Sequence, residues 1–413
     1  MSEDIKAVFL GGGSEVGKLG LVLEIEDIRL LLDYGISPTK PPSYPMEAPP
    51  VDLALLTHAH LDHCGMFPYL VREQDVPIWT TDLTREVSNI LHVDSLKVAK
   101  VEGYAYPYDK VDVKEAYHRV IPIKPFETRP IGDLDLKTYP AGHIPGSLMF
   151  KIENSSKSIL FSGDINTIDT RLLLGTKPVK CDILFLEGTY SGRDHPDRKE
   201  LEKEFIDTID EVVSKGGIAI IPVFAVSRSQ EIAMILSNSG FDVWMDGMGE
   251  KIAKIFLRYP RYLRSEKNLR KALSRVRMVK TSQNRKHALK GEVILTTSGM
   301  LDGGPVLWYL EKLRKDPKSA ILLTGYQVEG TNGRQLLDKG SLDFYGVSQK
   351  VECQVYYFDF SAHAGHKELV NFAKGCSPEK VVLFHSDNRE PLAEDLKDFA
   401  EVIIPENGKP FSL

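Results

Sequence analysis

The sequence predicts an α/β protein in which a smaller α/β domain interrupts a larger one. Three observations support this: strands alternate with helical segments up to about residue 190, a second alternation follows, and strand signals of the first type return near the end. The predicted domains are residues 1–190, the inserted residues 191–355, and residues 356–413, which complete the first domain. At 413 residues and 42% hydrophobic content, the chain is long enough for two or three domains.

Short apolar runs bounded by turn-forming residues predict the strands, and longer amphipathic runs predict the helices. In the first domain these are strands at 5–10, 21–25, 28–33 and 53–57 and a helix at 83–100. The insertion opens with a helix through Val213, followed by elements at 218–223, 242–245, 251–259, 293–296, 306–315 and 320–324, a pattern typical of a mainly parallel sheet. The returning tail is predicted at 355–358, 367–375, 381–384 and 402–404.

Residues 58–63 read HAHLDH and directly follow the apolar strand 51–56. Imidazole and carboxylate together suit zinc, manganese or iron, so four such groups at a strand exit predict a metal site. A lone histidine here would more often be an ordinary surface or core residue. Alternation along the chain lets His58 and His60 share one metal, while Asp62 and His63 serve a second.

Other polar residues also stand at the exits of predicted strands. Taken singly, each is as often a turn residue or a cap. Five such exits in one chain predict strands that converge on one polar edge. The additional residues are Asp33, His143, Asp164 and His385.

In this order the residues resemble the four motifs of the metallo-β-lactamase fold: Asp33, HAHLDH, His143 and Asp164. Three further segments resemble the β-CASP branch of nucleases, namely 186–190 (LEGTY), 359–365 (DFSAHAG) and 383–387 (LFHSD). Segments 223–231, 297–301 and 325–334 resemble the RNA-processing members, above all the endonuclease of the cleavage and polyadenylation specificity factor and its archaeal relatives. The resemblance covers nearly the whole chain. It implies a metallo-β-lactamase αββα sandwich with an inserted β-CASP α/β domain.

The resemblance also implies roles for individual residues. Two Zn²⁺ ions, or Mn²⁺ in their place, would be held by His58, His60 and His143 and by Asp62, His63 and His385, with Asp164 as the bridge. Asp33 would accept a histidine N–H and fix its tautomer. His363 would protonate the leaving 3′-oxygen and Glu187 would orient it, while Asp62 counts as catalytic as well as metal-binding. The implied products carry 5′-phosphate and 3′-hydroxyl groups.

Three functions compete. The first is an endoribonuclease of RNA 3′-end processing or decay. The second is a 5′→3′ exoribonuclease of the ribonuclease J type, in which the loop 361–365 would offer backbone N–H groups to a 5′-phosphate. The third is a catalytically silent RNA-binding subunit. Silent subunits of this kind usually lack several of the metal ligands that are present in this chain. RNA is favoured over DNA because His385 stands where DNA-processing relatives carry an aliphatic residue, although Ser386 replaces the usual glycine.

The formal charge of −6 hides a basic segment, defined here as residues 251–290, in which fourteen Lys or Arg face a single acid, Glu266. Such a run is either a solvated helix face, part of which folds against the acidic remainder, or a strip that follows a phosphate backbone. The candidate RNA contacts are Lys251, Arg258, Arg228, Arg334, Ser361 and Ala364. Candidate partners are single-stranded RNA, a second copy of the chain, and RNA-processing or transcription machinery.

Other sequence features concern the cellular environment of the protein and one glycine-rich motif. Four cysteines form no close pair, which argues against a disulfide framework, and Cys64 is predicted to be a buried thiol. No signal-peptide pattern or membrane-length apolar run occurs, so we expect a soluble cytoplasmic protein without a membrane partner. Residues 12–18 fit GxxxxGK, but Leu19 follows where a phosphate loop needs Ser or Thr, so the glycines are predicted to form the first hairpin turn. Because the first predicted strand already begins at residue 5, we expect no N-terminal RNA-binding extension.

Overall fold

The structure, a computed structural model, describes residues 5–39, 41–344 and 346–413. It divides into two units. The first comprises Met1–Asp169, Leu174–Asp194 and Ala362–Leu413, and the second comprises Thr170–Leu173 and His195–Ser361. By comparison, the inserted domain predicted from the sequence runs from residue 191 to residue 355.

The first part of the chain supplies most strands of the first unit. They are β1 (Lys6–Gly11), β2 (Gly20–Ile25), β3 (Ile28–Tyr34), β4 (Leu53–Leu55), β5 (Ile78–Thr80), β6 (Val120–Pro122), β7 (Thr128–Ile131), β8 (Leu134–Pro140), β9 (Leu148–Glu153), β10 (Ser158–Phe161) and β11 (Ile183–Glu187). The helices are α1 (Leu61–Cys64), α2 (Phe67–Glu73), α3 (Asp82–Glu102) and α4 (Lys110–Arg119).

The second unit alternates helices and strands. Its helices are α5 (Arg198–Ser214), α6 (Arg228–Leu236), α7 (Gly249–Phe256), α8 (Glu266–Leu273), α9 (Ser282–Ala288), α10 (Pro305–Leu313) and α11 (Asn332–Lys339), with a 3₁₀ turn at Pro260–Tyr262. Its strands are β12 (Ala219–Pro222), β13 (Val243–Asp246), β14 (Val276–Met278), β15 (Val293–Thr296), β16 (Ala320–Leu323), β17 (Ser341–Phe344), β18 (Val347–Lys350) and β19 (Gln354–Tyr357). The tail then adds α12 (His366–Cys376), β20 (Lys380–Phe384), α13 (Glu390–Leu396), β21 (Glu401–Ile403) and β22 (Phe411–Ser412).

Two seven-stranded sheets form the first unit, in the orders β22-β1-β2-β3-β4-β5-β6 and β21-β20-β11-β10-β9-β8-β7. Alternate residues of both sheets share one buried core, which includes Phe9, Leu32, Phe161 and Phe384. The opposite face of the first sheet packs against α1, α2 and α4, and that of the second packs against α12 and α13. The first unit is therefore a four-layer αββα sandwich, as the resemblance implies.

Helix caps explain where the two longest predicted helices begin. The Thr81 side chain accepts the N–H of Thr84 at the start of α3, and Asp197 accepts two N–H groups at the start of α5. Gly103, with φ +77°, ends α3 in the left-handed conformation that glycine adopts readily. Within the residues that the structure describes, no helix combines the length and apolar character needed to cross a membrane.

The second unit is built on a six-stranded sheet of order β14-β13-β15-β12-β16-β19, in which every neighbouring pair is parallel. This confirms the predicted parallel arrangement. One placement was wrong: the strand expected at 355–358 to return to the first domain is β19, which pairs with β16 in this sheet. A β-branched and aromatic run predicts a strand, but it does not show which of two sheets will receive it.

Candidate metal centre

Polar residues at four strand exits of the first unit come together, as the sequence predicts, and Asp33, near the end of β3, joins them. His58 and His60 follow β4, and Asp62 and His63 lie on α1. His143 lies in the loop after β8, Asp164 follows β10, and His385 follows β20. All of these except His60 and Asp62 are almost completely buried.

The Asp164 carboxylate lies at the centre of this cluster. Five histidines place a ring nitrogen within 4 Å of it: His63 at 3.2 Å, His385 at 3.4 Å, His58 and His143 at 3.6 Å, and His363 at 3.9 Å. Besides Asp164 with Glu187 and His363, two groups of potential ligand atoms lie within 4.8 Å of one another: His58, His60, His143 and Asp164, and separately Asp62, His63 and His385. These are the two sets that the resemblance assigns to two metals, so Asp164 as the bridge fits the geometry.

Hydrogen bonds behind the cluster turn the histidine lone pairs inward. Nδ1 of His143 lies 2.8 Å from the Ala362 carbonyl, which can only accept, so this nitrogen carries the proton. The Thr57 hydroxyl donates to Asp33 at 2.8 Å and therefore accepts from Nδ1 of His58 at 3.0 Å. In both rings the free lone pair is on Nε2. Thr57 and the Ala362 carbonyl were not anticipated from the sequence.

Ring nitrogens of three histidines lie at hydrogen-bonding distance from one another, and the single Nδ1–H of His60 cannot donate fully to two lone pairs. Nδ1 of His60 lies 3.2 Å from Nε2 of His58 and 3.0 Å from Nε2 of His143. Nε2 of His63 and Oδ1 of Asp164 are buried and lack hydrogen-bond partners among the described residues. A cation satisfies such converging lone pairs, and a nitrogen and oxygen donor set suits zinc or manganese. The residues therefore fit a divalent metal.

Burial holds most of these imidazoles in the neutral form that a metal ligand needs. It lowers the pKa of His58 and of His143 well below the usual range, with positive neighbours adding to the effect, and that of His60 to about 4. His63 differs. Burial alone would lower its pKa, but the carboxylates of Asp164 and Asp33 raise it well above the usual value.

Asp33 lies behind His63, as predicted. It is fully buried, accepts from Nδ1 of His63 at 2.8 Å, and also accepts the Thr57 N–H at 2.7 Å and the Thr57 hydroxyl. Burial raises the pKa of this carboxyl despite these contacts. Asp33 thus holds the His63 ring with its Nε2 facing the cluster.

We expect Asp33→Asn to weaken metal binding by roughly 10–100-fold, because an uncharged acceptor holds the His63 tautomer less firmly. The measurement is competition for zinc against a chromophoric chelator. Asp27→Asn, in the exposed turn between β2 and β3, is the matched control. Equal affinities in the two variants would remove Asp33 from ligand orientation.

His385 is held by the glycine loop 12–18. The Gly17 N–H donates to its Nε2 at 3.1 Å, and this nitrogen lies 3.5 Å from Asp62. A metal at Nε2 would therefore replace the Gly17 N–H. The backbone of His385 itself is in the left-handed conformation, with φ +53°. The hydroxyl of the next residue, Ser386, accepts the Asn388 N–H at 3.2 Å.

Glu187 and His363 form a second arrangement beside the cluster. Oε1 of Glu187 lies 3.0 Å from Nδ1 of His363, and the buried carboxylate also accepts the N–H groups of Ile165 and Thr189. Burial alone would lower the pKa of His363, but the charges of Glu187 and Asp164 raise it to about 9. His363 therefore carries a proton at neutral pH in the metal-free protein. The buried thiol of Cys64 takes no part, since it donates to the Ala59 carbonyl.

Four of the six candidate RNA contacts are buried or already paired within the protein. Arg228 is buried and donates to the Thr324 carbonyl, while Arg334 is bound to Asp338 on α11. Ser361 and Ala364 are also buried, and the Ala364 N–H donates to the Ile165 carbonyl at 2.7 Å. That N–H is therefore not available to a 5′-phosphate in this conformation. Lys251 and Arg258 are exposed.

The basic segment is partly neutralised by acids that lie before it in the sequence. Arg285 binds the buried Asp246 through two hydrogen bonds of 2.6 and 3.0 Å, and Arg277 pairs with Asp242 at 3.0 Å. Lys254 pairs with Glu250. Part of the segment thus packs against acidic residues, the alternative that the sequence left open, and exposed lysines such as Lys267 and Lys286 remain for a polyanion.

Comparison with known proteins identifies the same architecture. Residues 22–181 match the metallo-beta-lactamase superfamily domain, residues 226–336 the Beta-Casp domain, and residues 348–405 the Zn-dependent metallo-hydrolase RNA specificity domain. A crystal structure of a protein of unknown function from Enterococcus faecalis shares the fold, with a TM-score of 0.63 and 14% identity over 99% of this chain and 100% of that one.

Curated relatives cover nearly the whole chain. Probable RNase MJ4 of Methanocaldococcus jannaschii is 38% identical over 98% of this chain and 99% of its own length. RNase aCSPSF2 of Saccharolobus solfataricus is 36% identical over 98% of this chain and 84% of its own length. Transcription termination factor FttA of M. jannaschii is 34% identical over 97% of this chain and 69% of its own length. The chain therefore belongs to the β-CASP branch of the metallo-β-lactamase superfamily, in the group of ribonucleases related to the archaeal cleavage and polyadenylation specificity factor.

Proposed function

We propose that the protein is a metal-dependent hydrolase of RNA phosphodiester bonds that acts as an endoribonuclease with two zinc ions. The observation that carries this proposal is the convergence of five histidines on Asp164, with two further potential ligands, His60 and Asp62, at the edge of the cluster. A silent binding subunit has no need of such a buried ligand set, because buried imidazoles and carboxylates are costly unless they are paired or coordinate a metal.

The two ligand groups would each hold one divalent ion, with Asp164 between them and Asp33 fixing the tautomer of His63. Bound metal would supply an activated water and neutralise charge on the scissile phosphate. Mn²⁺ suits the same donor atoms. The chain's own residues must then provide the proton for the leaving group.

His363 is the proposed proton donor. Glu187 holds its Nδ1–H, so the proton on Nε2 is directed towards the cluster, where Nε2 lies 3.9 Å from Asp164. Transfer of this proton to the leaving 3′-oxygen, as the bond from that oxygen to phosphorus breaks, yields a 3′-hydroxyl on one product and a 5′-phosphate on the other. Glu187 positions His363 and stabilises its charged form.

Endonuclease action is favoured over 5′→3′ exonuclease action by the loop 361–365. An exonuclease of the ribonuclease J type would use backbone N–H groups here to bind a terminal phosphate. The Ala364 N–H is bonded to the Ile165 carbonyl, and the Gly365 N–H to the Glu368 carboxylate at 2.8 Å. Two donors of the loop are thus engaged.

A time course on two forms of one single-stranded RNA tests this proposal. One form is linear with a 5′-monophosphate, the other is circular, and each is incubated with protein loaded with zinc or with manganese. We expect cleavage of the circle. Mononucleotides from the linear form alone would establish the exonuclease. Intact RNA in both reactions, with metal bound, would leave an RNA-binding subunit.

The relatives suggest partners. FttA is named a transcription termination factor, and RNase aCSPSF2 a ribonuclease. By analogy with them, we propose single-stranded RNA as the substrate, in the cytoplasm, with a second copy of the chain and the transcription or RNA-processing machinery as protein partners. The exposed cations of the basic segment, among them Lys251 and Arg258, are the proposed contacts to the RNA backbone.

A further inference from the structure

Phe224 is exposed at the centre of the parallel sheet of the second unit. It follows β12, with β15 on one side and β16 on the other. Its neighbours Val223 and Val226 are buried, but 37% of Phe224 is accessible to solvent. More than a third of this large aromatic ring is therefore accessible to a ligand at the carboxyl edge of the sheet.

Glycines of the two neighbouring strand exits border the ring. A Cβ atom on Gly299, after β15, would lie 3.2 Å from Cδ2 of Phe224, and one on Gly325, after β16, would lie 3.7 Å from Cε2. A side chain at residue 299 would press on the ring. Because both positions are glycine, no side chain from either strand exit covers this edge of the Phe224 ring, which carries Cδ2 and Cε2.

The position is one where sheets of this type bind ligands. The helix that follows β12, α6, packs on the face that carries Ala219 and Ile221. The helix that follows β15, α10, packs on the opposite face, with Ile220. Neighbouring parallel strands whose helices leave to opposite faces open a crevice at their carboxyl ends, and α/β sheets bind ligands there.

The surroundings suit a nucleotide. A second exposed ring, Tyr326, follows Gly325. The Arg228 guanidinium lies 3.8 Å from the Cβ position of Gly325. The exposed Lys251 lies in α7, which starts after β13, the strand next to β15 in the sheet. Aromatic rings beside cations are the usual elements of sites for single-stranded nucleic acid, because every base has a face that stacks.

We infer that Phe224 is a stacking surface for a nucleobase of single-stranded RNA. This inference rests on the proposed function, which supplies RNA as the substrate, and it concerns the second unit alone. The base lies against the Phe224 ring in the crevice between the exits of β12 and β15. The contact is independent of sequence, since it reads a face and not an edge of the base.

Equilibrium binding to a fluorescent single-stranded RNA tests the inference. The metal-loaded protein carries His363→Ala in all samples, so that the RNA stays intact. Adding Phe224→Ala should raise Kd about tenfold, whereas Phe224→Trp, which keeps an aromatic face, should stay within about twofold of the parent. Phe126→Ala removes a ring that is 75% exposed in the first unit and is the matched control, for which Kd should not change.

Two further readouts separate stacking from a structural role. RNA with abasic residues should bind the parent and Phe224→Ala equally. The slope of log Kd against log salt should be the same in both, because the ring carries no charge. Equal Kd values for intact RNA, or an equal loss of affinity for abasic RNA, would overturn the inference. A parent protein that binds no RNA at all would overturn the proposed function with it.

Discussion

Replacing His363 with alanine is expected to slow RNA cleavage by about 10²–10⁴-fold, the usual effect of losing a general acid. The two proposed ligand sets, His58, His60, His143 and Asp164 and Asp62, His63 and His385, are complete without it, so bound metal per chain should stay unchanged. The rate is measured under single-turnover conditions with saturating RNA. Metal content is measured by elemental analysis.

A substrate change identifies the step that fails. If the leaving 3′-oxygen is replaced by sulfur, the leaving group needs less protonation, because a thiol has a pKa near 8.5 and an alcohol a far higher one. The His363→Ala protein should then cleave the sulfur-containing RNA at close to the wild-type rate. His118→Ala, which removes an exposed histidine on α4, is the control for general loss of activity. Wild-type cleavage of ordinary RNA by His363→Ala would assign the proton to another group.

The predicted ligands could be found from the sequence because the residue types that bind metals stand at strand exits. Parallel strands end at one edge, so residues such as Asp164 and His385, far apart in the chain, are brought together by β10, β11 and β20. Asp33, which orients His63, was found in this way, but the backbone groups behind the ligands could not be. The Ala362 carbonyl, which orients His143, belongs to the backbone and leaves no mark in the residue type.

The candidate RNA contacts show a different limit of the sequence. Arg228 and Arg285 look like surface cations, yet both are bound within the second unit, to a carbonyl after β16 and to Asp246. Their acceptors are distant in the sequence and meet them only when the parallel sheet forms. A charge run therefore predicts the net potential of a surface better than it predicts which cations face the ligand.

Asp164→Asn is expected to remove most of the bound metal and to lower RNA cleavage more than about 100-fold, beyond the usual effect of changing a residue behind the ligands. The amide keeps the size of the side chain but offers one oxygen and no charge. Oδ2 alone lies 3.6 Å from His58 and His143 and 3.2 Å from His63, so it faces both ligand groups. An uncharged amide oxygen at this position stabilises two cations less than a carboxylate does.

The loss should extend to both metals, and this distinguishes a bridge from an ordinary ligand. His143→Ala, by contrast, removes a ligand from only one of the two groups and should leave about one metal per chain. Elemental analysis of the two variants after dialysis against zinc buffer gives the stoichiometry, with the exposed Asp135→Asn as the control. Equal metal content in Asp164→Asn and His143→Ala would mean that Asp164 binds only one metal, and that the other ligand group holds its metal without Asp164.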